Sequence, residues 1–269
     1  MKYRCTTLFL TALLVPTCLA QMPFEHADQR TFQVTYGPCS ALGTGWVVAG
    51  AFVEDDGAPG YGILRTFDAA GEPVWEVIQE EGSNQVYTSA LTTVQNEDLI
   101  TASNLFECDV LVPYFRAERR DTDGVIVWSR TYAFSSVHDV TANPGDSLAF
   151  CTDMTILITN ADGDSLTSFE AIGSYNTRVE WDGPNALLLS GPSDGLSRWS
   201  LSGELIASTD PPQEIVDMLC WHGHRMALTN DGWLRTYDEE LNALDSLAVG
   251  PPTYYRRLLP LDDQRIGEV

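Results

Sequence analysis

The chain has 269 residues, 15 of them basic and 38 acidic, for a formal net charge of −23, with 44% hydrophobic residues. So acidic a surface offers phosphate backbones and anionic lipid heads no cationic patch from which counterions could be released, which makes nucleic acid and membrane surfaces poor partners. No apolar run reaches the roughly 20 residues needed to span a bilayer, so the chain does not read as an integral membrane protein.

The first twenty residues read as a secretory signal. Lys2 and Arg4 form a basic start, an apolar stretch runs from Leu8 through Val15, and Cys18-Leu19-Ala20 places small residues at the cleavage positions. Cleavage is expected before Gln21, which makes the mature chain secreted or held at the outer cell surface. Thr17 before Cys18 argues against lipid attachment there. The signal takes away Lys2, the only lysine, leaving 13 arginines against 38 acids and a net charge of −25. Schiff-base and lysine-base mechanisms are thereby excluded from the mature chain.

Beyond an N-terminal segment, 21–33, which is a candidate outer closing strand, one pattern recurs. Phe67-Asp68-Ala69-Ala70-Gly71-Glu72-Pro73-Val74-Trp75 matches Arg120-Asp121-Thr122-Asp123-Gly124-Val125-Ile126-Val127-Trp128. Asn160 to Gly163, Ser200 to Gly203 and Asp238 to Leu241 keep the turn without the tryptophan, and the last has Leu241 where glycine is expected. Asp, Asn or Ser opens such a turn through its side chain, and Gly supplies the positive φ that closes it. Some twenty residues earlier in each unit lies an apolar strand: Trp46 to Ala49, Leu99 to Ala102, Leu148 to Cys151, Leu187 to Ser190, Met226 to Thr229 and, at the end, Ile266. Between Gly71, Gly124, Gly163, Gly203 and Leu241 the intervals are 53, 39, 40 and 38 residues, the longer one absorbed by an insertion around Asn104 to Pro113. Four antiparallel strands in about 40 residues is the size of a propeller blade.

The expected fold is therefore all-β, a β-propeller of four-stranded antiparallel blades: five complete units (about 34–82, 83–134, 135–173, 174–212 and 213–251) and a partial sixth, 252–269. Stacked β-sandwich domains are the alternative. A partial last unit leads to the expectation of a truncated, open ring, against a closed ring of six in which residues 22 to 33 pair with 254 to 269.

The Asp-x-x-Gly-x-x-x-Trp turn, following the Leu64-Arg65-Thr66-Phe67 strand, resembles secreted bacterial β-propellers with quinoprotein-like and WD40-like repeats, including cargo of the type IX secretion route. The resemblance covers most of residues 34 to 269 and implies fold more than function. Quinoprotein repeats carry one more residue between Asp and Gly, so their cofactor is not implied here.

Alternation of strand direction puts the A–B and C–D turns on one face and the B–C and D–A loops on the other, where such folds usually bind. B–C loops carry Glu54, Asp55 and Asp56, then Glu107 and Asp109, then Asp153, Asp194 and Asp231. Such a ring at the channel mouth could hold a divalent cation such as Ca2+ or attract a cationic partner, although so acidic a chain also places acids in loops by composition alone. No cofactor is otherwise indicated. Gly191-Pro192-Ser193-Asp194-Gly195 mimics a nucleophile elbow but is followed by a strand pattern, so it reads as a plain B–C turn. His222-Gly223-His224 falls in an A–B turn, and the Asn160 to Asp164 and Asp121 to Gly124 segments read as C–D turns rather than calcium loops. Four cysteines remain after the signal. Cys108 and Cys151 map to one face of neighbouring blades and are the candidate disulfide, while Cys39 and Cys220 belong to strands A of the first and fifth units and are expected to be small buried apolar residues. Trp75 and Trp128 are expected to pack between blades, each indole N–H finding a local acceptor.

With no catalytic constellation surviving this placement, the chain reads as a secreted or cell-surface binding or display module for an extracellular protein or carbohydrate. The alternative is a polysaccharide-active enzyme using channel-mouth carboxylates.

Overall fold

The computed structural model describes residues 32–54, 61–79, 85–106, 114–171, 178–191, 195–209, 214–250, 258–262 and 265–268. Among them lie five antiparallel sheets of four strands, each in simple chain order, and a two-stranded sixth. The first sheet holds β1 (Phe32–Leu42), β2 (Gly45–Glu54), β3 (Tyr61–Phe67) and β4 (Pro73–Gln79). The second has β5 (Gln85–Thr93), β6 (Leu99–Phe106), β7 (Tyr114–Arg120) and β8 (Ile126–Tyr132). In the third are β9 (Val137–Ala142), β10 (Leu148–Thr152), β11 (Thr155–Thr159) and β12 (Ser165–Glu170). The fourth comprises β13 (Arg178–Trp181), β14 (Ala186–Gly191), β15 (Gly195–Ser200) and β16 (Leu205–Ser208). The fifth is β17 (Ile215–Trp221), β18 (His224–Thr229), β19 (Trp233–Tyr237) and β20 (Ala243–Ala248), and β21 (Leu258–Asp262) pairs with β22 (Arg265–Glu268).

These are propeller blades. The first strand of each sheet abuts the first strand of the next, so β1, β5, β9, β13, β17 and β21 run innermost in succession. The second strands β10 and β14 are buried along their whole length, whereas β12 is exposed but for Phe169 and β20 is exposed throughout. Apolar burial is accordingly layered between blades rather than gathered in one centre. Phe115 and Tyr132 of the second blade pack on Phe150 of the third, ring centroids 5.4 and 5.8 Å away. Ile156 and Ile158 of the third cluster with Val179, Leu187 and Leu189 of the fourth, and Leu188 and Leu196 of the fourth with Met218 and Ala227 of the fifth.

The C–D turns are built as their sequences require. Asp68 Oδ1 accepts from the N–H groups of Ala70 and Glu72, and Asp121, Asn160 and Asp238 repeat that pair of bonds. Gly71, Gly124, Gly163 and Gly203 all have φ between 78° and 86°. Leu241 adopts φ 61° in the fifth turn, so the left-handed position persists without glycine.

Trp75 donates its Nε1–H to the carbonyl of Thr122 at 2.9 Å, and Trp128 to that of Ala161 at 2.9 Å. Each indole thus packs between blades, as expected, but its acceptor is the C–D turn of the following blade rather than a local group. Asn104, read from sequence as the start of an inserted loop, instead belongs to β6. Its amide accepts from Val137 N at 2.7 Å and donates to Val137 O at 3.0 Å, tying blade two to the innermost strand of blade three. The segment 107–113 that follows lies outside the described residues, as does 22–31.

Candidate functional site

An innermost strand has one edge paired and one edge facing the channel, where its N–H groups need other acceptors. Side chains of the preceding blade supply them. Asp139 Oδ2 accepts from Val179 N at 3.1 Å, and Asp217 Oδ2 from Leu258 N at 2.7 Å. Asp139, Arg178 and Asp217 fall at equivalent positions of β9, β13 and β17, spaced 39 residues apart each time, so one register of three successive inner strands carries charges of alternating sign. Arg178 Nε lies 3.5 Å from Asp217 Oδ1 and donates to Val216 O at 3.2 Å. These residues stand toward the start of their strands, hence toward the mouth formed by the B–C and D–A loops.

Two further groups complete the constellation. His138 Nε2 lies 2.5 Å from Asp153 Oδ1, joining an inner strand to the B–C loop of its own blade. Ser190, directly across from Arg178 in the β13–β14 ladder, is buried, and its hydroxyl has no hydrogen-bond partner among the described residues. Deeper in the channel, Glu180 has its carboxyl pushed up to about 8. Burial is the first cause, followed by Asp139 and Asp217, while the Thr141 hydroxyl and the Trp181 N–H pull it back. Glu180 is therefore mostly protonated at neutral pH, which relieves the repulsion of three carboxyls in one channel. Cys151 is fully buried beside this group, and burial, then Asp139, raise its thiol well above the ordinary range. It is a poor nucleophile there.

Of the B–C acids singled out from sequence, Asp153 and Asp231 are described. Asp153 reaches inward to His138, and Asp231 Oδ1 accepts from Thr229 Oγ1 at 2.5 Å within its own turn. Glu54 ends β2, and Asp55, Asp56, Glu107, Asp109 and Asp194 lie outside the described residues. Among the described residues no three His, Cys, Asp or Glu side chains are grouped to hold a metal. Cys151 carries a free thiol, and Cys108 lies outside the described residues. Cys39 and Cys220 stand on β1 and β17, innermost strands of blades one and five, and are only partly buried rather than buried as expected. Gly195 opens β15, so a strand, not a helix, follows Ser193. His222 and Gly223 form a left-handed two-residue turn with φ 49° and 77°, with the His222 ring edge-on to Trp221 at 4.4 Å.

The inner-strand row Asp139, Arg178, Asp217 and the residue Glu180 escaped the sequence reading, which weighed loop acids. The available signal was the 39-residue spacing of charges inside otherwise apolar strands, where an ionisable group requires a partner.

No family model matches the chain, and no curated protein does. Among solved structures it is similar to a protein of unknown function from Bacteroides caccae, with TM-score 0.56 and 8% identity over 80% of this chain and 81% of the other. It is also similar to the Dos1 propeller, with TM-score 0.50 and 13% identity over 72% of this chain, which spans about half (50%) of that one. At such identities the likeness is one of fold, and it is to a propeller.

Proposed function

We propose that this chain is an exported propeller that binds an extracellular protein or carbohydrate at the channel mouth. The propeller fold supports a binding or scaffold role in general terms. The observation that carries the reading further is the row of alternating charge, Asp139, Arg178 and Asp217, on one register of three inner strands, with Ser190 and the His138–Asp153 pair beside it. Such a surface offers carboxylate acceptors and a guanidinium donor together, which suits hydroxyl- and amide-rich ligands, and its buried thiol is protonated. The secretory pattern of residues 1 to 20 and the similarity of the repeat to secreted bacterial propellers support an extracellular setting, including display on the cell surface. The alternative, an enzyme acting through B–C carboxylates, has no support among the described residues, where Asp153 pairs with His138 and Asp231 with Thr229.

The test is to screen immobilised oligosaccharides and peptides with the full chain, then repeat the titration with Arg178→Met and His138→Gln. A ligand bound by the wild type should lose about tenfold or more in affinity in at least one variant whose thermal melt is unchanged. Equal binding by all three would overturn the site. N-terminal sequencing of exported protein should begin at Gln21.

A further inference from the structure

Three of the five C–D turns are covered by an aromatic ring from the blade before them. Trp75 of blade one lies against Gly124 and donates to the Thr122 carbonyl; Trp128 of blade two lies against Gly163 and donates to that of Ala161; Phe169 of blade three lies against Gly203. In the fifth turn Leu241 is itself buried, beside Ala207. The turn of blade one is open. A Cβ built on Gly71 would meet nothing within 4 Å among the described residues, and Gly71 is only partly buried where Gly124 and Gly163 are buried. No group among the described residues donates to the Ala69 carbonyl, the equivalent of those of Thr122 and Ala161.

In place of a ring lies a pocket of about 230 Å³ between the A–B and C–D turns, lined by Thr44, Gly45, Trp46, Asp68 and Ala69. Small-molecule sites start at roughly 300 Å³, so this one suits a single side chain. Its position matches the filled sockets. Trp46 pairs with Phe67 as Leu99 pairs with Arg120 and Leu148 with Thr159, and each of these partners directly precedes its turn. Leu99 clusters with Trp75, and Leu148 with Trp128. The indole N–H of Trp46 is shielded from solvent without a hydrogen-bond partner among the described residues, a cost that an incoming carbonyl would remove.

The filled sockets define what fits: an aromatic ring on an extended strand, its indole N–H aimed at the turn carbonyl. All seven tryptophans of the chain stand on described strands, and the two on outer strands are already engaged. A second copy, also at net charge −23, would be repelled. We propose that the pocket at the first blade's C–D turn is a docking socket for a tryptophan on an extended segment of another protein, its indole N–H donating to the Ala69 carbonyl. Tryptophan in a shielded pocket is a common anchor of protein interfaces. The socket lies on the face of the A–B and C–D turns, opposite the channel mouth, and does not depend on the ligand proposed there.

The full chain should be titrated with a fluorescently labelled heptapeptide copying β8, Ile-Val-Trp-Ser-Arg-Thr-Tyr, whose tryptophan fills the twin socket of blade three. Comparison peptides carry serine or 1-methyltryptophan in place of the tryptophan. The tryptophan peptide is expected to bind at least about tenfold more tightly than the serine peptide. Methylation should cost about threefold or more, the worth of one hydrogen bond. Ala69→Gln, at an exposed turn position lining the pocket, should erase these differences with an unchanged thermal melt. Thr122→Gln, at the same position of an occupied socket, should leave them intact. Equal binding of the three peptides would overturn the proposal, as would an equal loss in Ala69→Gln and Thr122→Gln. So would binding that appears only in Phe24→Ser, which would show the chain filling its own socket, or dimerisation lost in Ala69→Gln, which would show a second copy there. Arg178 and His138 are untouched throughout, so failure here leaves binding at the channel mouth to be judged by its own titration.

Discussion

The ring of Trp128 lies directly beneath Gly163 of the next blade: a Cβ built on that glycine would sit 3.0 Å from Trp128 Cζ3, while the indole N–H bonds the carbonyl two residues earlier. The same relationship joins Trp75 to Gly124, at 3.1 Å, and Phe169 takes the aromatic role beneath Gly203, its Cβ at 2.7 Å and its ring at 3.0 Å. Glycine at these turns answers two demands, a left-handed backbone and a ring pressed against it.

Those demands separate experimentally. Gly71 has φ 86°, but a Cβ added there would meet nothing within 4 Å, so Gly71→Ala should cost only the backbone term, about 1 kcal/mol. Gly203→Ala also drives its methyl into Phe169 and should cost roughly 2–4 kcal/mol in urea unfolding. Equal losses would mean that the inter-blade contact is slack.

Leu241 tests the converse. It keeps φ 61° at the glycine position yet is 4% exposed, clustered with Leu188, Leu196 and Tyr237, and Ala207 packs against that cluster where blades one and two have tryptophan. A large residue in the turn thus accompanies a small one beneath it. Leu241→Gly relieves about 1 kcal/mol of backbone strain but removes a buried leucine worth about 2–4, so a net loss near 2 kcal/mol is expected. A stabilised variant in thermal melts would contradict this packing.

Asp182, in the A–B turn of blade four, accepts from Arg198 of its own blade and from Arg225 of the next, the latter at 2.7 Å from Oδ1. Asp182 and Arg225 are both buried. Asp182→Asn leaves two guanidinium groups without their counter-charge and should cost about 3–5 kcal/mol. A loss under about 1 kcal/mol would show that solvent reaches the pair.

Glu180 makes stability depend on pH. Its carboxyl is raised from 4.5 to about 8, so the folded state binds a proton that the unfolded chain releases at lower pH. The contribution of the protonated group is full below about 4.5 and is lost as pH rises through about 8. Relative to wild type, Glu180→Gln should therefore become progressively more stable between those values, read as the difference in urea midpoints at pH 5 and pH 9. Parallel midpoints at both pH values would show that Glu180 is ordinarily ionised.

What the sequence determined by itself was local. The Asp-x-x-Gly turn closes within five residues, its bonds run from one side chain to its own near backbone, and so its composition announces it at every blade. The spacing of those turns then implied four strands per unit and the propeller, and the tryptophan four residues after the glycine implied packing between blades, though not that its N–H would bond the next blade's turn. Tertiary structure decided whatever depends on residues about forty apart. Asp139, Arg178 and Asp217 are ordinary polar positions in three separate strands until the blades turn around a common channel, where edge N–H groups and low dielectric give each a partner and raise Glu180. Leu241 likewise looked like a defect of the repeat, because Ala207, the residue that makes room, belongs to the blade before it.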